Sequence, residues 1–145
     1  MVIFRDKDGR RWMRSGDIGH MDRDGFLYVD GRCKRIIIRY SGLKVFPSQI
    51  ENVIAAHPKV RECCVIGWPD EPYPQGNIPA VYAVLEQGAD KEKVKCDLTE
   101  LCIKNLPEYA QPIDFIFIEK MPLTDNGKID FRVLEGHGKE QGKSF

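Results

Sequence analysis

No apolar run in this chain approaches the roughly 18 residues that a spanning helix needs. The start Met1-Val2-Ile3-Phe4 is broken at once by Arg5-Asp6-Lys7-Asp8, so it forms no signal-peptide core. No transmembrane segment is expected, and the chain reads as soluble and cytoplasmic. Net charge is also missing, because 22 basic and 22 acidic side chains cancel. Without a global field, a nucleic-acid or anionic-membrane partner is not expected. The five cysteines, at 33, 63, 64, 96 and 102, contain no C-x-x-C pair, and His20, His57 and His137 complete no zinc set. No metal site is expected, and the thiols read as reduced packing groups. Cys63 and Cys64 are adjacent in an apolar strand, where at most one is expected to face a core. No histidine neighbours a nucleophile or carboxylate at triad spacing, no repeat is present, and the phosphate-cradling pattern G-x-x-x-x-G-K-[ST] is absent.

What is present suffices for one core. A chain of 145 residues can bury about 68–70% of the surface its unfolded form exposes. Residues 10–30 alternate apolar and polar around turn signals and read as short antiparallel strands, with 26–29 the clearest. A hairpin is expected from 34–40 and 43–46 around Ser41-Gly42. Apolar positions 50, 53, 54 and 56 behind Pro47 predict a helix. Strands follow at 60–68 and 78–85, separated by a Pro- and Gly-rich loop over 69–77. A helix is expected over 91–106, with 94, 98, 101, 102 and 106 on one face, then a strand over 113–118 and a short helix over 129–134. The fold class is α+β: a three-stranded sheet with flanking helices, preceded by a β-hairpin and a detached N-terminal β segment.

Three motifs carry the functional signal. The first is Arg14-Ser15-Gly16-Asp17. The second runs Gly31-Arg32-Cys33-Lys34 into Ser41-Gly42 and Gln49-Ile50-Glu51. The third is Pro122-Leu123-Thr124-Asp125-Asn126-Gly127-Lys128-Ile129-Asp130, in which Thr-Asp-Asn-Gly favours a tight turn because Asn and Gly accept positive φ cheaply. In this order, over roughly residues 12 to 134, they resemble the adenylate-forming superfamily of acyl-CoA synthetases, peptide-synthetase adenylation domains and luciferases. They correspond to its T-G-D segment, its hinge with the following glycine turn, and its terminal P-x-T-x-x-G-K-x-D.

The resemblance implies roles for particular residues. Asp17, in S-G-D rather than T-G-D, would accept hydrogen bonds from both ribose hydroxyls of ATP, with Arg32 reaching the same ribose. Lys34 stands at the hinge. Ser41 and Gly42 border the pantetheine channel of CoA, where a missing Cβ lets backbone approach a thin ligand. Arg35, Arg39 and Lys44 are candidates for contacts to CoA or ATP phosphates. Lys128 is the catalytic residue, a compact positive charge between the attacking carboxylate and the α-phosphate.

Family members are several times longer, so a fragment is expected. Residues 1–31 would be the terminal β segment of a missing large N-terminal domain, 32–34 the hinge, 35–134 the mobile C-terminal domain and 135–145 a flexible tail. The whole enzyme would use ATP, Mg²⁺, CoA and a carboxylic acid, with none bound tightly to the fragment, which is inactive alone. Its partner is its own N-terminal domain. Trp12, Phe26 and Tyr28 would otherwise stay exposed or drive self-association through residues 1–31. Two alternatives stay open: a peptide-synthetase adenylation fragment, and a freestanding non-catalytic partner-binding domain.

Overall fold

Turns of a single design punctuate the computed structural model, which describes the backbone of residues 2–141 and side chains over 3–136. They are 6–9, 22–25, 39–42 and 124–127. In each, the glycine N–H donates to the carbonyl of the first residue, at 3.1, 3.2, 2.9 and 2.8 Å in turn. The first residue's own N–H donates to the carbonyl just beyond the glycine. Gly9, Gly25, Gly42 and Gly127 close these loops with φ of 76°, 87°, 81° and 75°, the left-handed final residue of a three-residue hairpin loop. The tight turn expected of Thr-Asp-Asn-Gly is present at 124–127, with the positive φ taken by Gly127 and not by Asn126.

Between the turns, β1 (Val2–Arg5) pairs with β2 (Arg11–Arg14), and β3 (Asp17–Met21) with β4 (Leu27–Arg32), as separate two-stranded sheets. Among the described residues only the end of β4, at Gly31, is covered, by Phe46 and Ser48, and Trp12, Phe26 and Tyr28 are 51%, 66% and 48% exposed. A 3₁₀ turn over Cys33–Arg35 leads to β5 (Ile37–Ile38) and β6 (Lys44–Val45). The expected hairpin is therefore present but shorter. Helix α1 (Pro47–Ala55) is followed by β7 (Val60–Asp70), β8 (Tyr73–Leu85), α2 (Lys91–Asn105), β9 (Phe115–Phe117) and α3 (Phe131–Gln141). The order in the three-stranded sheet is β7-β8-β9, antiparallel then parallel.

Side-chain alternation divides the core into two layers. Val65, Val81 and Ala83 pack with Ile50 and Ile54 of α1, Val94, Leu98 and Cys102 of α2, and Ile37 and Val45 of the hairpin. Cys64, Ile66, Tyr82 and Val84 meet Met121 and Leu134, with Ile129 and Phe131 alongside. Both faces of the sheet are thus covered, which overturns the expectation that only one of the adjacent cysteines could pack. Burial pushes the Cys64 thiol up to about 12 and the Cys63 thiol up to about 11.

Two expected boundaries move. Residues 69–77 are not a loop: β7 and β8 continue to a tight turn at 71–72, with a register shift at Pro69/Asp70. Pro69 lies on an edge strand, and Pro74 lies beyond the reach of β9, the places where a sheet tolerates proline. The last helix starts at Phe131, capped by Asp130 Oδ1 accepting from the Arg132 N–H at 3.0 Å, and runs past 134 to Gln141. Once a capped turn is anchored by buried Leu134, each added residue gains one hydrogen bond. The tail expected from 135 is helical to 141, and 142–145 lie outside the described residues.

Gly76, read as an incidental loop residue, has a packing role. A Cβ built there would lie 2.4 Å from the Tyr40 nitrogen and 2.7 Å from its Cα, both backbone atoms. Gly76→Ala is expected to destabilise the chain by about 1–3 kcal/mol, measured as a lower urea midpoint at unchanged slope. Gly136→Ala, in an open helical position, is expected to be neutral or stabilising. A Gly76→Ala midpoint equal to the wild type would contradict this packing.

Candidate functional site

Asp17 and Arg32 stand opposite each other in the β3–β4 register. Arg32 Nη1 donates to Asp17 Oδ1 at 2.8 Å, and the pair is open to solvent, with side chains 60% and 34% exposed. The Asp17 backbone N–H is held by the Ser15 hydroxyl at 3.2 Å, so serine in place of threonine preserves the local contact. The Arg32 hydrogen bond lowers the Asp17 pKa below the usual carboxylate range. The two ribose candidates are thus adjacent and ionised, and both face water.

The hinge candidate lies between two fastenings. On one side the Cys33 N–H donates to the Gly16 carbonyl at 2.8 Å. On the other, Arg35 donates to both carboxylate oxygens of Glu51, at 2.5 and 3.3 Å, and to the Val65 carbonyl at 3.2 Å. Its guanidinium also lies 4.4 Å from the centroid of the Phe131 ring. Exposed Lys34 is the residue between them. Among the described residues one hydrogen bond bridges this joint directly, from the Ser48 hydroxyl to the Asp30 carbonyl at 2.5 Å, beside the approach of Gly31 to Phe46 and Ser48. A single neutral hydrogen bond contributes about 0.5–1.5 kcal/mol. Lys34 and Arg35 also line a cleft of 410 Å³ with Val65, Gly67, Asn77 and Phe131.

Arg35 and Arg39 do not present their charges as expected of phosphate contacts. Arg35 turns inward to Glu51, which helps to make 33–35 a 3₁₀ turn rather than strand. Arg39 faces Asp70 at 3.7 Å, with side chains 14% and 10% exposed. Lys44, opposite Ile38 on β6, remains exposed. Ser41 and Gly42 are exposed at the hairpin tip, and a Cβ on Gly42 would meet nothing within 4 Å, so its surroundings are open in this conformation.

Lys128 does not begin a helix. It follows the 124–127 turn, where its carbonyl accepts from the Thr124 N–H at 2.7 Å and its own N–H donates to the Thr124 hydroxyl at 3.3 Å. The bridge Leu123↔Ile129 and the Asp130 N–H to the Pro122 carbonyl, at 2.8 Å, close the loop behind it. Every named position of P-x-T-x-x-G-K-x-D therefore has a local role, except the lysine side chain. No hydrogen bond or ion pair of that ammonium occurs among the described residues, and it is exposed. The lysine loop is anchored to the sheet face bearing Cys64 and Ile66, through Met121, Ile129 and Leu134. The Gly42 hairpin is anchored to the opposite face, through Ile37 and Val45. Asp70 and Glu51 are the residues sequence reading missed as supports. An acidic residue near the end of an apolar strand was the available signal for Asp70, and it was hidden by the proline-rich reading of that segment.

The sequence profile of the family described as "AMP-binding enzyme C-terminal domain" matches residues 49–128. The chain is 37% identical over 129 residues to a 2-succinylbenzoate–CoA ligase of Listeria monocytogenes, covering 88% of this chain and 26% of that protein. It is 40% identical over 130 residues to a long-chain-fatty-acid–CoA ligase of Mycobacterium tuberculosis, covering 90% and 25%. The solved structure of ATP-bound MatB from Rhodopseudomonas palustris superposes with a TM-score of 0.77 at 28% identity, over 94% of this chain and 26% of that one. The chain spans about a quarter of the length of these curated relatives.

Proposed function

Because the chain belongs to the AMP-binding enzyme C-terminal domain family, we propose that it is the mobile C-terminal domain of an AMP-forming carboxylate–CoA ligase. In this reading residues 1–31 belong to the large N-terminal domain, 32–34 are the hinge and 35–134 the moving body. The observation that carries it is the Lys128 ammonium, unengaged among the described residues, on a loop closed by backbone hydrogen bonds at Pro122, Thr124, Gly127, Lys128 and Asp130. During adenylation a carboxylate approaches the α-phosphate, bringing two anions together. A positive charge held between them offsets the repulsion and follows the charge as it redistributes in the transition state.

Asp17 supplies two acceptor oxygens to the ribose diol of ATP, and Arg32, already at 2.8 Å, holds that carboxylate ionised and oriented. No group of three or more His, Cys, Asp or Glu side chains suited to a metal occurs among the described residues. Mg²⁺ would enter on the nucleotide phosphates, since it is usually held by substrate phosphates with only one or two carboxylates. For the thioester step the lysine loop withdraws and the Ser41-Gly42 turn borders the pantetheine arm, with Lys44 as the remaining open cation for the CoA phosphates. Support for two orientations comes from anchoring the two turns on opposite faces of one sheet, beyond a residue fastened on both sides. Among the described residues no helix is long and apolar enough to cross a membrane.

The 145-residue chain incubated with ATP, Mg²⁺, CoA and a panel of carboxylic acids is expected to release no pyrophosphate above background. Acid-dependent release from the isolated chain would contradict the reading of it as one domain of a larger catalyst.

A further inference from the structure

Four hairpin turns share one backbone design, yet the supports around them differ. At 39–42 the supports come from a second hairpin. The Arg39 guanidinium lies 3.7 Å from Asp70, and Asp70 is the one buried charged side chain among the described residues. The Tyr40 ring stacks on Tyr73 with centroids 3.8 Å apart and planes at 13°. The Tyr40 backbone runs so close to Gly76 that no Cβ fits between them. The 6–9 and 22–25 turns are instead held by their own first aspartate: Asp6 accepts from the Asp8 and Arg10 N–H groups, and Asp22 from those of Asp24 and Phe26.

Burying a carboxylate and a guanidinium gains little stability over packing apolar groups there, so the pair is better explained by geometry than by stability. Its effect is positional. Gly42 donates to the Arg39 carbonyl at 2.9 Å, and Arg39 donates across to the Leu43 carbonyl at 2.9 Å. Fixing Arg39 therefore fixes both ends of the glycine turn.

We propose that Asp70 is a positioning residue for the thioester half-reaction, holding the Ser41-Gly42 turn in register through Arg39. This rests on the reading of that turn as the wall of the pantetheine channel. Asp70 touches no substrate, and it explains why Arg39 is unavailable to a phosphate.

The test uses the enzyme that carries this chain, with Asp70→Asn and the charge-neutral pair Arg39→Gln/Asp70→Asn. The pair leaves no buried charge unpaired, so it separates positioning from folding. Both are expected to slow thioester formation from supplied acyl-adenylate by about 10- to 10²-fold, the scale of a misplacement near 1 Å, with a raised KM for CoA. Pyrophosphate exchange is expected to stay within about twofold. In the 145-residue chain, hydrogen exchange at the Gly42 amide is expected to quicken while amides of β8 stay protected. If thioester formation by the double variant equals the wild type, or both half-reactions fall together, the positioning role is overturned. Gly42→Leu, run in parallel, keeps the outcomes apart: if it still separates the half-reactions while Asp70→Asn does not, only this inference fails. If Gly42→Leu separates nothing, the channel reading fails with it.

Discussion

Lys128→Ala is expected to lower acid-dependent adenylation by about 10²–10³-fold, the cost of removing one charged group aimed at a developing anion. Attack of CoA on a supplied acyl-adenylate is expected to stay near the wild-type rate. The fold should not respond, because the side chain is exposed and the loop is held by backbone groups that alanine retains. Exposed substitutions away from such features usually change stability by about 0.5 kcal/mol or less. Pyrophosphate exchange and thermal unfolding, measured on the same preparation, check this. A drop in melting temperature matching the loss of exchange would trace the effect to folding instead. Lys128→Arg is expected to recover only part of the rate, since a planar fork does not replace a point charge at the same reach.

Gly42→Leu is expected to do the reverse, slowing thioester formation by about 10²-fold while adenylation continues and acyl-adenylate accumulates. Two effects act at this position and have to be separated. Gly42 has a φ of 81°, where a side chain is strained by roughly 1–2 kcal/mol whatever the space around it. The side chain would also project into surroundings that are open in this conformation and are taken by the pantetheine arm in the proposed second one. Gly25→Leu supplies the control, since its turn has the same design, a φ of 87° and no neighbour within 4 Å. It carries the strain without the obstruction. If it slows thioester formation as much as Gly42→Leu does, backbone strain and not the channel accounts for the effect.

The architecture was legible wherever side-chain periodicity had one interpretation. Ile50 and Ile54, and Val94, Leu98 and Cys102, repeat at helical spacing and pack on one sheet face as read. Legibility failed where a residue's role depends on a partner distant in sequence. Pro69, Pro74 and Gly76 are strand breakers by local preference, but edge position and the approach of Tyr40 make them part of β7 and β8. Arg35 and Arg39 read as open cations for phosphates because Glu51 and Asp70, 16 and 31 positions away, could not be matched to them. The lysine loop was legible as a turn, since Thr, Asn and Gly set it locally. Which residue took the positive φ was not, because Asn and Gly both tolerate it and the loop length decided for Gly127.

The central claim is that one moving domain presents Lys128 and Gly42 in turn to a single site. Its most direct test is the ratio of the two half-reaction rates, pyrophosphate exchange over thioester formation from synthetic acyl-adenylate, in Lys128→Ala and Gly42→Leu enzymes assayed side by side. The account predicts that the ratio falls in the first and rises in the second, each by about 10²-fold or more. A ratio that stays at the wild-type value in both, or moves in the same direction in both, would contradict it.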